Sequence, residues 1–232
     1  TTFLYRDPSV STGTGLVLLG PDGSNAIIDG DSSSSALTVD EVTAAIEGMR
    51  GSKYFITGFE VPEAIALEGA RRAHALGMKT VLNPSPLPAG KLPPLDFVDY
   101  LFVNEVEAAS LVGMAKSDLE GLAKGVLQAT SARNVIVTLG SDGSCALTEE
   151  GEFLTIDPVK VENVVNTAGA GDGFMAATVA NLVWGKTLRE AMEWASYYSA
   201  LAVTIDGTIP AYRPLGEVNA FIKGHQCEKC EE

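Results

Sequence analysis

Short apolar runs punctuate the chain, first as a close pair and then in alternation with longer segments of mixed polarity. Gly15-Leu16-Val17-Leu18-Leu19-Gly20 is a compact apolar run, and Ala26-Ile27-Ile28 follows it. Pro21-Asp22-Gly23-Ser24 lies between them, with Pro and Gly where a tight turn uses them, so the pair reads as a β-hairpin. The polar stretch Asp31-Ser32-Ser33-Ser34-Ser35 reads as a loop too brief for a domain linker.

From there helices and strands alternate. Thr38 is placed to cap a helix over 39–50, with Asp40 and Glu41 in its first turn, where the helix dipole favours acids. Strands are predicted at 54–58, 80–84, 100–103 and 135–139, and two shorter ones at 144–148 and 152–156. The run Val135-Ile136-Val137-Thr138-Leu139 is apolar and β-branched, as a strand buried on both faces requires. Helices are predicted at 62–77 (Pro62 at its start, Gly77 at its end), 105–111, 117–131, 171–184, 187–204 and 215–223. Strands alternating with helices imply βαβ units and a doubly wound, mostly parallel α/β sheet. The early hairpin stands outside the alternation and reads as a small lid over one edge. The expected organisation is a hairpin lid at 1–30, an α/β domain at 31–224 and a tail at 225–232.

Composition narrows the partners. The chain has 232 residues, and 16 Lys+Arg against 30 Asp+Glu give a formal charge of −14. Without Lys/Arg clusters it is not expected to bind nucleic acid or an anionic membrane surface. A phosphate-bearing small molecule stays open, because backbone N–H groups bind phosphate without net positive charge. No apolar run approaches the roughly 20 residues that span a bilayer, and no signal peptide is visible. The chain begins with Thr1, as a processed or partial chain would. Three cysteines in this length suit a reducing cytoplasm rather than a disulfide framework. His225, Cys227 and Cys230 fall one ligand short of a structural zinc site and read as part of a tail. His74 has no partner in view, and Trp184 and Trp194 read as core or subunit contacts.

The strongest chemical signal is Asn166-Thr167-Ala168-Gly169-Ala170-Gly171-Asp172-Gly173-Phe174, just before a long helix of small and apolar residues. Glycines there let the backbone approach a ligand, and the free first-turn N–H groups make an anion site. An acid inside such a turn would repel a bound phosphate unless it faces an incoming nucleophile, as a general base does. The plainer reading is a helix start with Gly for packing and Asp at the dipole. No Walker-type loop is present, and Phe174 stands where a dinucleotide fingerprint needs its third glycine.

The segment resembles the D-T-x-G-A-G-D signature of the ribokinase-like (PfkB) carbohydrate kinases. Asn83-Pro84-Ser85-Pro86 resembles their N-P-x-P strand end, Asn104-Glu105-Val106-Glu107 their N-x-x-E motif, and Thr138-Leu139-Gly140-Ser141-Asp142-Gly143 their nucleotide turn. Ala202-Val203-Thr204 and Gly207 resemble the segment before the last helix, and Ser11-Thr12-Gly13 the entry to the hairpin. The likeness runs from about residue 11 to 222 and is greatest to the ribokinases. It implies an ATP-dependent sugar kinase that converts ribose to ribose 5-phosphate.

On that resemblance Asp172 is the catalytic base and Gly169, Ala170 and Gly171 are the anion hole. Thr138, Leu139, Gly140, Ser141, Asp142 and Gly143 line the nucleotide, with Ser196 near adenine. Asn104 and Glu107 suit a hydrated Mg²⁺ at the phosphates, because Mg²⁺ takes few protein ligands; a capping Asn with a first-turn Glu is the alternative. Glu60 matches a position that touches the sugar, or is an exposed strand-end acid. A K⁺ site would use Asn166, Ala168, Ala202, Ile205, Gly207 and Ala211. It departs from the family at Asn166, where a charged Asp is usual, and at Ala211, where a hydroxyl is common. The family's N-terminal sugar-binding Asp and glycine-rich loop have no counterpart here, so an N-terminal portion is expected to be missing. The resemblance also implies a homodimer formed through the lid. Fructokinase, adenosine kinase and 2-keto-3-deoxygluconate kinase activities stay open, as do a catalytically silent nucleotide-binding protein and, last, a dinucleotide-dependent oxidoreductase.

Overall fold

A computed structural model describes residues 2–19, 25–30, 33–113 and 118–228. Two strands, β1 (Gly15–Leu19) and β2 (Asn25–Asp29), pair in a sheet of their own, as the hairpin reading requires. The predicted turn at 21–24 lies outside the described residues, as does Cys230. A 3-10 turn at Ser33–Ala36 occupies part of the expected loop.

The alternation then unfolds as α1 (Val39–Gly48), β3 (Tyr54–Gly58), α2 (Glu63–Ala75), β4 (Lys79–Asn83), β5 (Tyr100–Asn104), α3 (Glu105–Val112), α4 (Leu119–Thr130) and β6 (Asn134–Thr138). After it come β7 (Ser144–Leu147), β8 (Phe153–Ile156), α5 (Ala170–Val183), α6 (Leu188–Ala202), α7 (Thr208–Ala211) and α8 (Leu215–Glu228). Strands β3 to β8 form one mixed, mostly parallel sheet in chain order, with helices on both sides. β3 pairs with β4 and β4 with β5, both in parallel. Connections as short as 139–143 and 148–152 only allow antiparallel neighbours, so the parallel character ends after β6.

Two compact units partition the chain. The first is built mainly on Ala26–Val137 with Ala146–Phe153, the second on Thr138–Cys145 and the chain from Leu154. In the first, α1 and α2 pack on the β3–β4 side through Ile46, Ala73 and Met78, with Val42, Phe55 and Leu76 around them. A Cβ at Gly69 of α2 would stand 3.0 Å from Val42 and 3.1 Å from Phe55, so glycine sets how closely the helices approach. Val81, Leu82, Leu101, Phe102, Val103 and Val135 to Val137 are buried, as near-continuous apolar strands covered on both faces should be.

Asp99, just before β5, is buried and ties the strands together. It accepts from Lys79 Nζ at 2.7 Å and from the Thr80 amide at 2.9 Å. Burial pushes its carboxyl up, but these donors outweigh burial and hold it below the ordinary carboxylate range. His74, for which the sequence offers no partner, stands 3.7 Å from this carboxylate.

In the second unit α5 and α6 pack closely, and α8 lies against α6. Gly173 and Ala177 of α5 and Ala191, Ala195 and Ala202 of α6 are buried, and small side chains allow the close approach. Trp194 stacks on Tyr198 at 5.9 Å, whereas Trp184 is 60 % exposed and is no part of the core. α8 runs five residues past its expected end, and α7 was not predicted. No described helix is long and apolar enough to cross a membrane.

Candidate active site

The start of α5 has the backbone geometry of an anion site. Gly169 is its N-cap in the left-handed region (φ 78°, ψ 0°), with no side-chain cap. A Cβ at Gly169 would stand 2.6 Å from both Thr208 Cγ2 and Tyr212 Oη, so conformation and space both require glycine. The turn before it is pinned. The amides of Val165 and Asn166 donate to the Val203 carbonyl at 2.8 and 3.1 Å, and Asn166 Oδ1 accepts from Ala168 N at 2.9 Å. The Gly173 amide closes the first helical bond to Gly169 O at 2.9 Å, while Ala170 N donates to Thr167 O at 3.2 Å. The amides of Gly171 and Asp172 precede the first possible i−4 bond of the helix, so they face outward as donors. A Cβ at Gly171 would meet nothing within 4 Å, so open space lies beside them.

Asp172 sits on this first turn. Its side chain reaches solvent, yet enough protein surrounds it that desolvation raises its pKa above the ordinary value. Among the described residues no cation or hydrogen-bond donor meets its carboxylate. A carboxylate left unpaired, with a raised pKa and beside open amides, has what a general base needs.

The same unit contains the turn after β6. Leu139 N donates to Gly143 O at 2.9 Å and Asp142 N to Leu139 O at 3.1 Å, with Gly140–Asp142 forming a 3-10 turn. Gly140 and Gly143 have φ of 60° and 91°, and a Cβ at Gly143 would fall 2.2 Å from the Ile156 carbonyl. Thr138 is half-buried and Leu139 buried, while Ser141 and Asp142 are exposed at the tip. Ser196, on α6, donates its hydroxyl to Met192 O at 3.1 Å.

The first unit holds the other candidates, at the carboxyl ends of its parallel strands. Asn104 caps α3: its Oδ1 accepts from Val106 N at 2.9 Å and Glu107 N at 2.8 Å, and Glu107 Oε2 accepts from Asn104 N at 2.8 Å. This is a complete capping box, the alternative reading of the pair. Glu107 Oε1 takes no part in it, and a hydrated Mg²⁺ needs only one or two carboxylate oxygens beside the substrate phosphates, so Glu107 fits that ion, whereas Asn104 Oδ1 is occupied by two amides and holds Glu107 in place. Glu60 is exposed, its carboxylate folded over Gly58 and its carbonyl accepting from Ser34 Oγ at 2.9 Å.

The K⁺ candidates Asn166, Ala168, Ala202, Ile205, Gly207 and Ala211 all fall in the second unit. Asn166 spends its Oδ1 on Ala168 N, and its Nδ2 lies 3.4 Å from Asp206 Oδ1. The Ala202 carbonyl accepts from Ile205 N at 3.1 Å, and Ala211 is buried without a hydroxyl. These positions offer carbonyl oxygens, the kind of donor that holds K⁺, with the Asp206 carboxylate beside Asn166.

Four residues that sequence reasoning missed frame the α5 turn. Tyr212 Oη donates to Gly169 O and Ser199 Oγ to Ala170 O, each at 2.9 Å, while Thr208 and Tyr198 pack against Gly169 and Gly173. They lie about 30 to 40 positions further along the chain, with no motif to mark them.

With this geometry in place, residues 1–214 match the pattern of the pfkB family of carbohydrate kinases. The chain belongs to that family. Members are sugar kinases, phosphotransferases with an alcohol group as acceptor. The chain is 29 % identical over 217 residues to a mouse ribokinase, covering 91 % of this chain and 67 % of that one. An Arabidopsis thaliana ribokinase is also 29 % identical, over 86 % of this chain but only 54 % of its own length. A Salmonella typhi deoxyribokinase is 25 % identical, over 96 % of this chain and 73 % of its own. Among solved structures, Thermotoga maritima ribokinase superposes with a TM-score of 0.80 at 26 % identity, covering 91 % of this chain and 70 % of its own. Arabidopsis thaliana ribokinase complexed with ribose and ATP gives 0.77 at 27 % identity, covering 91 % and 69 %.

Proposed function

We propose that this chain transfers the γ-phosphoryl group of ATP to the primary hydroxyl of ribose, giving ribose 5-phosphate and ADP. The observation that carries the reading is the α5 start: outward-facing amides at a glycine N-cap, with the unpaired Asp172 one turn in. Asp172 takes the proton of the attacking hydroxyl. As the new O–P bond forms, the bond from the γ-phosphorus to the bridging oxygen of ADP breaks, and the proton stays on the carboxyl group. The outward-facing amides of Gly171 and Asp172, with that of Ala170 shared with Thr167 O, stabilise the charge spread over the transferring group. The Thr138–Gly143 turn receives the nucleotide, with Ser196 toward adenine and Glu60 toward the sugar. Glu107, positioned by Asn104, would hold a hydrated Mg²⁺, which offsets phosphate charge. A cytoplasmic setting and a homodimer formed through the β1–β2 lid belong to the same proposal, as does its division into lid, α/β domain and tail.

Ribose stands first because the ribokinase relatives are the more similar ones and one solved relative is complexed with ribose and ATP. Deoxyribose is the second reading, favoured by the deoxyribokinase likeness over 96 % of this chain. The test is ADP release with ribose, 2-deoxyribose, fructose and adenosine as acceptors. The expected result is the highest kcat/KM for ribose. A higher value for deoxyribose would move the assignment to the second reading. ATP–Mg²⁺ binding with no turnover on any acceptor would overturn both and favour a silent nucleotide-binding protein.

A further inference from the structure

Two side-chain hydroxyls that belong to no motif reach the α5 turn from behind. Ser199 of α6 donates to the carbonyl of Ala170, and Tyr212, just after α7, donates to the carbonyl of Gly169, both at 2.9 Å. Each carbonyl shares a planar, resonant peptide group with the N–H of the following residue. Gly169 O is therefore conjugated with Ala170 N–H, and Ala170 O with Gly171 N–H. Both are among the amides that the phosphoryl-transfer reading above puts against the γ-phosphate, and the present inference rests on that reading.

We propose that Ser199 and Tyr212 are positioning residues that polarise the two anion-hole peptides and fix their orientation. A donor on the carbonyl draws electron density toward oxygen and makes the paired N–H a stronger donor. Hydrogen bonds in such a chain strengthen one another by about 10–30 % each. The Gly169 carbonyl already accepts from Gly173 N at 2.9 Å, so Tyr212 adds a second donor to it. Ala170 N–H is shared with Thr167 O at 3.2 Å, so Ser199, which acts on the Gly171 amide, should have the larger effect.

The placement of Tyr212 is rigid. Its ring is stacked on that of Tyr198, with centroids 6.3 Å apart and planes 23° from parallel, and Tyr198 in turn stacks on Trp194. Both tyrosine rings rest against Gly173, where a Cβ would stand 3.2 to 3.3 Å from their edges. Burial, and then the charge of Asp172, raise the pKa of Tyr212, so its hydroxyl stays protonated and remains a donor.

The test uses Tyr212→Phe, Ser199→Ala, the double variant and Ser199→Thr, with steady-state kinetics and backbone amide ¹⁵N shifts of the same folded proteins. Each single variant should lose about 3–10-fold in kcat with both KM values within about twofold, because less is lost than when a direct oxyanion donor is removed. Ser199→Thr should restore most of the loss. The ¹⁵N resonance of Gly171 should move upfield in Ser199→Ala, and that of Ala170 in Tyr212→Phe, each without the other. Unchanged kcat, a loss confined to KM, or unmoved amide resonances would overturn the proposal. If the wild-type chain phosphorylates no acceptor, the kinase reading fails, and the two amide shifts alone still decide whether the hydroxyls polarise these peptides.

Discussion

Two helices of this molecule begin in opposite ways. At α3 the chain answers its own first-turn amides: Asn104 accepts from two of them and Glu107 reaches back to the Asn104 amide. At α5 a glycine stands at the N-cap, no side chain turns inward, and the one acid of the first turn, Asp172, is left unpaired with a raised pKa. Helices α1 and α6 are closed like α3, by Thr38 with Glu41 and Thr187 with Glu190. A closed terminus stabilises the fold, whereas an open one keeps its donors for something outside the chain. The contrast explains why Asp172, and not another first-turn acid, is suited to proton transfer.

The largest effect expected from breaking this contrast is at Gly169. A Cβ there meets the left-handed backbone and the Tyr212 hydroxyl together. Gly169→Ala should lower kcat about 100-fold, because the amides lose their aim. A kinetic comparison with wild type checks this, and turnover within threefold would show that the turn geometry is not needed.

Next comes pH. Asp172 must be ionised to act, so kcat/KM should rise with pH, about tenfold per unit, and level off above its pKa. Desolvation raises that pKa, so the limb should lie above the value of about 3.9 for an unperturbed Asp. A pH–rate profile that is flat down to about pH 4 would contradict the assignment.

Much of this was legible in the sequence, for local reasons. The strands from β3 to β6 are apolar runs, the caps at Thr38 and Asn104 are local patterns, and the glycines at 140, 143 and 169 mark turns with positive φ. Whether Asn104 and Glu107 form a cap or hold a metal was not legible, because i, i+3 spacing serves both. Tyr212 and Ser199 were invisible, since only the packing of α5, α6 and the segment after α7 brings them to the turn. The short α7, Thr-Ile-Pro-Ala, carries no periodicity to read.

The closed termini give a smaller effect and sharpen the comparison. Thr187→Ala and Asn104→Ala should each cost about 1 kcal/mol, a melting shift of about 2–4 °C. Only Asn104→Ala should also raise the Mg²⁺ concentration needed for half-maximal rate. An equal Mg²⁺ response in the two variants would reduce α3 to a structural cap.

The smallest effect concerns stability at Asp172 itself. Its folded pKa is raised, so the fold holds that proton more tightly than the unfolded chain does. The stabilising contribution is fully present below the ordinary carboxylate pKa and is lost as pH rises through the raised one. Asp172→Asn removes that loss, so the variant should melt slightly higher than wild type at pH 7. A lower melting point would mean that the ionised carboxylate has a stabilising partner.

The central claim is that Asp172 takes the proton of a sugar hydroxyl as the phosphoryl group moves onto it beside the open α5 turn. The most direct measurement follows ATP and ribose by ³¹P NMR with wild type and with Asp172→Asn, with ATP affinity measured by calorimetry on both. The account predicts a phosphomonoester appearing in step with ADP for wild type, a rate lower by about 1,000-fold or more for the variant, and nearly equal ATP affinity. Phosphoryl transfer by Asp172→Asn at a rate close to wild type would contradict it.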